Sequence, residues 1–266
     1  MGAHMRRLTT FELDGSECGA SLDAGDGAVG LLMVTGGTQS RIGSHRMYER
    51  LAKRLAHEGF SCFRFDRRGV GDSGGEDPGF RGSAPDLEAA AASFRREAPQ
   101  VKRMFGFGLC DGATALALFA DGLGLDGLIL ANPWLVEAEA GAPPAAAVRS
   151  HYKERLTSAA GWKKLLTGSV DIVKVAKALR RTAREDSSLA ADVAAALTRH
   201  GLPVELILGT RDATAVAAMH AVRRPHYAGL AMEVQEIATD SHTFARAGDE
   251  EALFAAVLAP LRRLDF

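Results

Sequence analysis

Cys110 lies in the pentapeptide Gly108-Leu109-Cys110-Asp111-Gly112. An apolar run, Val101–Phe107, leads into it, and a small-residue run, Ala113–Ala120, follows. The pattern reads as a strand, a sharp turn and a helix. A nucleophile on such a turn has strained dihedrals, and flanking glycines are required because side chains there would collide. The turn lifts the sulfur above the sheet edge and sets the Asp111 N–H beside a reacting carbonyl, as one oxyanion donor. The partial positive charge of the helix N-terminus favours a thiolate. A buried, inert thiol is the usual fate of a core cysteine, and it is the turn that argues for nucleophilic catalysis here.

A nucleophile in this setting needs a base and an acid, which follow it in the chain in the order acid, then His. Val204–Leu208 reads as a strand running into Gly209-Thr210-Arg211-Asp212. Met232–Ile237 reads as the last strand and runs into Thr239-Asp240-Ser241-His242-Thr243-Phe244. Loops at the carboxyl ends of parallel strands share one edge of a sheet, so Cys110, Asp212 and His242 can converge. His242 would take the thiol proton or hold it as an ion pair, and Asp212 would fix its tautomer. Asp240 is a rival acid, read as shaping the His242 loop.

The second oxyanion donor is expected in the loop after the strand Val29–Val34, from Gly37 or else Thr38. In the same loop, Arg41, His45 and Arg46 are candidate substrate contacts. The two arginines either meet an anionic substrate group or pair with acids of the glycine-rich segment 67–82.

Positioning these groups takes a mostly parallel, doubly wound sheet, and apolar runs alternating with helical patterns predict one. Phe60–Phe65 and Leu125–Ala131 are further strands. Tyr48–His57, Asp86–Glu97 and Glu250–Leu264 are helices by the spacing of their apolar residues. Residues 136–198 break the alternation, with helix-like stretches and no convincing strand. At roughly sixty residues this is too long for an ordinary crossover and reads as a helical lid. Residues 5–135 and 199–266 then form the core, and residues 1–4 look like an expression scar.

The chain has 266 residues, 47% of them hydrophobic and 24% charged, with 32 basic against 33 acidic side chains. That balance suits a globular enzyme and gives no reason to expect a nucleic-acid partner. No apolar stretch reaches the roughly 18–20 residues that span a bilayer. The three cysteines, Cys18, Cys62 and Cys110, form neither a disulfide framework nor a zinc motif. No metal or cofactor is expected, and a cytoplasmic location fits best.

Three segments together resemble the α/β-hydrolase superfamily, and more narrowly the exosortase A system-associated hydrolase 1 family. They are Thr35-Gly36-Gly37 with Arg41-Ile42-Gly43-Ser44-His45-Arg46, Asp66-Arg67-Arg68-Gly69-Val70-Gly71-Asp72-Ser73, and Gly108-Leu109-Cys110-Asp111-Gly112-Ala113. The resemblance runs from about Leu8 onwards and is weakest across the lid. It implies an α/β-hydrolase fold and a Cys-His-Asp hydrolase or acyltransferase. The superfamily's usual nucleophile is serine, so cysteine shifts the expectation from simple esters towards thioester exchange.

The leading expectation is a covalent acyl-cysteine mechanism on a small-molecule ester or thioester, ending in hydrolysis or transfer. The acyl group would be free or carried on coenzyme A or an acyl carrier protein. Alternatives are a dienelactone-type lactonase and a non-catalytic ligand-binding protein. Lys163, Lys164, Lys174, Lys177, Arg180, Arg181 and Arg184 either dock an acidic carrier or, the favoured reading, form a solvated helix face.

Overall fold

The computed structural model describes residues 5–136 and 188–263. Eight strands form one sheet in the order β1-β2-β4-β3-β5-β6-β7-β8. They are β1 (Met5–Leu13), β2 (Ser16–Ala24), β3 (Val29–Val34), β4 (Ser61–Phe65), β5 (Arg103–Leu109), β6 (Gly127–Ala131), β7 (Val204–Gly209) and β8 (Met232–Ile237). From β4 to β8 every neighbouring pair is parallel, and only β2 runs against the others, antiparallel to both β1 and β4. Helices α1 (Met47–His57), α2 (Ala84–Glu97), α3 (Asp111–Phe119), α4 (Ser188–His200), α5 (Ala213–Val222) and α6 (Asp249–Arg263) complete the described elements.

The central strands are apolar throughout because both faces are covered. All six residues of β3 are buried. Leu32 and Val34 join the core on one face of the sheet, with α2, α3 and α4. Leu31 and Met33 join the core on the other face, with α1 and α6. A fully buried side chain of this kind contributes about 1.5–3 kcal/mol. Helix α3 packs closely through Gly112, Ala113, Thr114, Ala115 and Ala117, as small residues permit.

The hairpin β1–β2 is not among the strands expected from the sequence. Its two-residue turn, Asp14-Gly15, has positive φ at both positions, 51° and 76°, the geometry that suits a tight hairpin. Its charged residues are paired: Arg6 with Asp23 and Glu49, and Arg64 of β4 with Asp23 at 2.8 Å.

Most of the segment expected to be a lid, residues 137–187, lies outside the described residues, as do the seven basic residues named with it and the supposed scar. The last part of that stretch belongs to α4, which places Leu189, Val193 and Leu197 in the core beside α3.

Candidate active site

Strands β3, β5, β6, β7 and β8 all present their carboxyl ends to the same edge of the sheet. Cys110 follows β5 directly and is the residue before α3. Its backbone, at φ 59° and ψ −129°, is in a region that L-residues avoid. Such a conformation costs about 1–3 kcal/mol and persists only where the surroundings impose it. Here the Cys110 N–H donates to the Ala131 carbonyl at 3.1 Å, and its own carbonyl accepts from Thr114 and Trp134 at 3.2 and 3.1 Å. The flanking glycines are sterically required. A Cβ on Gly108 would come within 2.7 Å of the Ala113 backbone, and one on Gly112 within 2.6 Å of the Val34 and Thr35 carbonyls.

The acid and base expected from the sequence arrive at this turn. Asp212, 6% exposed, ends the loop after β7. Its Oδ2 accepts from the Ala215 N–H at 2.9 Å, capping α5, and lies 3.0 Å from His242 Nδ1. The His242 imidazole also interacts with Cys110. Burial works to lower the basicity of His242. Hydrogen bonds to Asp212 and Cys110, and their negative charge, outweigh burial and push its pKa up to about 10. Asp240 faces away to Arg246 at 2.8 Å, in keeping with a loop-shaping part.

The remaining expected residues are placed less simply. The Asp111 N–H leads α3, where a backbone donor is free of the helix ladder. The Gly37 N–H donates to the Asp111 carboxylate, at 2.5 Å from Oδ1. Thr38 is exposed in the same loop. Arg41 is spent on Asp66 and on Asp72 at 2.8 Å, with its Nε on Ser21. Arg46 pairs with Glu49 at the start of α1. Both guanidinium groups are thus engaged by nearby carboxylates, Arg41 by Asp66 just before the glycine-rich loop and Asp72 within it. His45 Nε2 lies 3.0 Å from the Thr243 carbonyl, so it abuts the loop that carries His242.

Two residues of this site escaped the sequence reading. Asn132, fully buried after β6, donates from its side chain to the His242 carbonyl at 2.9 Å and accepts from the Gly209 N–H at 2.8 Å. It ties the His242 loop to the strand that carries Asp212. The Asn-Pro dipeptide at 132–133 marks a turn but not that bridge. Tyr48, also fully buried, donates its hydroxyl to the Val34 carbonyl at 2.7 Å, just before the loop that carries Gly37.

Among the described residues, no group of His, Cys, Asp and Glu is arranged to hold a metal. None of their helices is long and apolar enough to cross a membrane. A cavity of about 250 Å³ lined by Phe105, Leu128, Pro203, Glu205 and Arg263 opens at the opposite end of the sheet and contains none of these side chains.

A family model described as serine aminopeptidase, S33, matches residues 32–228. A sequence search of curated proteins finds no match. Among solved structures, the chain is similar to the Pyrococcus furiosus esterase Pf2001, with a TM-score of 0.69 at 15% identity over 99% of this chain and 92% of that one. It is also similar to XC6422 of Xanthomonas campestris, described as an α/β serine hydrolase without a lid, with a TM-score of 0.62 at 17% identity over 99% and 96% of the two chains. A third is Est1E of Butyrivibrio proteoclasticus, solved with ferulic acid, with a TM-score of 0.65 at 17% identity over 96% and 98%. These likenesses and the strand order establish the α/β-hydrolase fold.

Proposed function

The chain belongs to the serine aminopeptidase S33 family of α/β hydrolases, and from that premise we propose that it acts on an ester or thioester through a covalent acyl-Cys110 intermediate. The observation that carries this reading is the positive-φ cysteine of the strand-to-helix turn, with the His242–Asp212 pair beside it. The likeness of Gly-Leu-Cys-Asp to the turn of the exosortase A system-associated hydrolases supports it further.

The raised basicity of His242 equips it to take and hold the Cys110 proton. The Cys110 sulfur attacks the carbonyl carbon, forming a C–S bond and a tetrahedral oxyanion. The N–H groups of Asp111 and Gly37 hold that oxyanion. Collapse breaks the bond to the leaving alcohol or thiol, which takes its proton from His242 Nε2. His242 then removes a proton from water or another acceptor, which attacks the thioester. Cys110 leaves as the thiolate and His242 ends protonated, as it began. Asp212 keeps the imidazole in register and balances its charge.

A thioester intermediate retains enough energy to pass its acyl group to an alcohol, amine or thiol, so hydrolysis and transfer share the first half-reaction. Intact mass spectrometry with p-nitrophenyl esters and acyl thioesters tests that half. Wild type is expected to gain one acyl group on Cys110, and Cys110→Ala to gain none and lose turnover. Cys18 and Cys62 are buried, which pushes both thiols up and keeps them out of the adduct. Full turnover by Cys110→Ala would sink the reading.

A further inference from the structure

The amide assigned above to the oxyanion is already occupied. The Gly37 N–H donates to Asp111 Oδ1 at 2.5 Å, across 74 residues of chain. The acceptor is a carboxylate on the residue that follows the nucleophile. A Cβ on Gly36 would stand 2.7 Å from Asp111 Oδ1 and 2.9 Å from Cys110 Cβ, so the oxygen and the nucleophile's stem border one small space.

The loop itself is anchored from behind. Arg67, 3% exposed, donates from Nη2 to the Gly37 carbonyl. The turn is closed by the Gln39 N–H on the Gly36 carbonyl at 3.3 Å. Tyr48 holds the Val34 carbonyl just upstream. The loop therefore has supports that do not involve Asp111, and bracing does not account for the carboxylate.

Charge argues that the contact cannot survive the reaction. A carboxylate beside a developing oxyanion repels it, because like charges a few ångströms apart oppose one another. Both would also compete for one N–H. We propose that the Asp111 carboxylate is a substrate-displaced occupant of the oxyanion site and a determinant of which acyl groups react; this rests on the acyl-Cys110 reading above.

The consequence for specificity follows from the order of events. A ground-state carbonyl is a neutral acceptor and competes poorly with a carboxylate for the Gly37 N–H. The tetrahedral oxyanion is itself anionic and competes well. The donor therefore contributes late, in the transition state, and little to initial binding. Small acyl groups, which have only their carbonyl to hold them, are captured weakly. Longer acyl groups bind through the rest of the chain and are affected less.

Steady-state kinetics of wild type, Asp111→Ala and Asp111→Asn with p-nitrophenyl acetate and p-nitrophenyl octanoate test this. Removing the carboxylate frees the donor, so Asp111→Ala should raise kcat/KM for the acetate about 10-fold, mainly by lowering KM. The octanoate should gain less. Asp111→Asn keeps a neutral acceptor of the same shape and should fall between, which covers the case in which the alanine variant folds poorly. A lower kcat with unchanged KM in Asp111→Ala would show that the carboxylate braces Gly37, and would overturn the proposal. So would Asp111→Asn at or below wild type for the acetate. Turnover persisting in Cys110→Ala is a separate outcome that removes the acyl-cysteine reading itself.

Discussion

The side-chain amide of Asn132 donates to the main-chain carbonyl of His242 at 2.9 Å, while its oxygen accepts from Gly209 at 2.8 Å. One buried side chain thus sets the His242 loop against the strand that leads to Asp212. Asn132→Ala leaves a buried donor and a buried acceptor unpaired, which costs about 2 kcal/mol. Urea unfolding should show that loss, and kcat should fall about 10-fold as His242 loses register. An unchanged kcat in a destabilised protein would limit Asn132 to structure.

Asp212 has two partners, and substitution can separate them. Asp212→Asn keeps an oxygen for the Ala215 N–H, and Asn caps helices as well as Asp does. The imidazole loses its anion and its fixed tautomer. Stability should change little, while kcat should fall by about 10²–10⁴. Equal losses of stability and kcat would contradict this division.

His242 makes stability depend on pH in a definite direction. Its folded pKa is raised from 6.5 to about 10. A raised pKa means that the folded state holds the proton more tightly, so the contribution is fully present below pH 6.5 and is lost as pH rises through about 10. The urea midpoint of wild type should decline across that window, and that of His242→Gln should decline less. Parallel profiles would show that other groups govern the alkaline limb.

The glycines about the nucleophile are predicted to tolerate no side chain. Gly112→Ala would press a methyl group to within 2.6 Å of two carbonyl oxygens. Overpacking of this kind costs about 3 kcal/mol, which corresponds to a fall in Tm of roughly 10 °C for a chain of this size. Differential scanning calorimetry reads it directly, and an unshifted Tm would mean that β3 and α3 can part freely.

Much of this arrangement was legible in the sequence, for identifiable reasons. Strands β3 to β7 are largely apolar runs bounded by turn residues, β8 mixes apolar and polar residues, and α1 and α6 carry apolar residues at helical spacing. The Cys110 turn was readable because its glycines answer a local steric demand. The hairpin β1–β2 was not, because Arg6, Arg7, Glu12, Glu17 and Asp23 give it the look of a polar leader. Arg6 and Arg7 are matched by Glu49 and Glu97, far along the chain. The Asp14-Gly15 turn was the available signal. Asn132 and the Asp111 carboxylate were invisible for the same reason: each acts on a partner 77 residues away or more, or 74, respectively.

The Cys110 turn follows β5 and the His242 loop follows β8, so the two residues are 132 positions apart in the chain. As the chain leaves the ribosome, the cysteine turn can close on β6 long before β8 exists. Until β8 and its loop arrive, Cys110 lacks the His242–Asp212 pair. On the acyl-Cys110 reading proposed above, a half-made chain is chemically quiet, and the topology ties the onset of reactivity to the docking of β8.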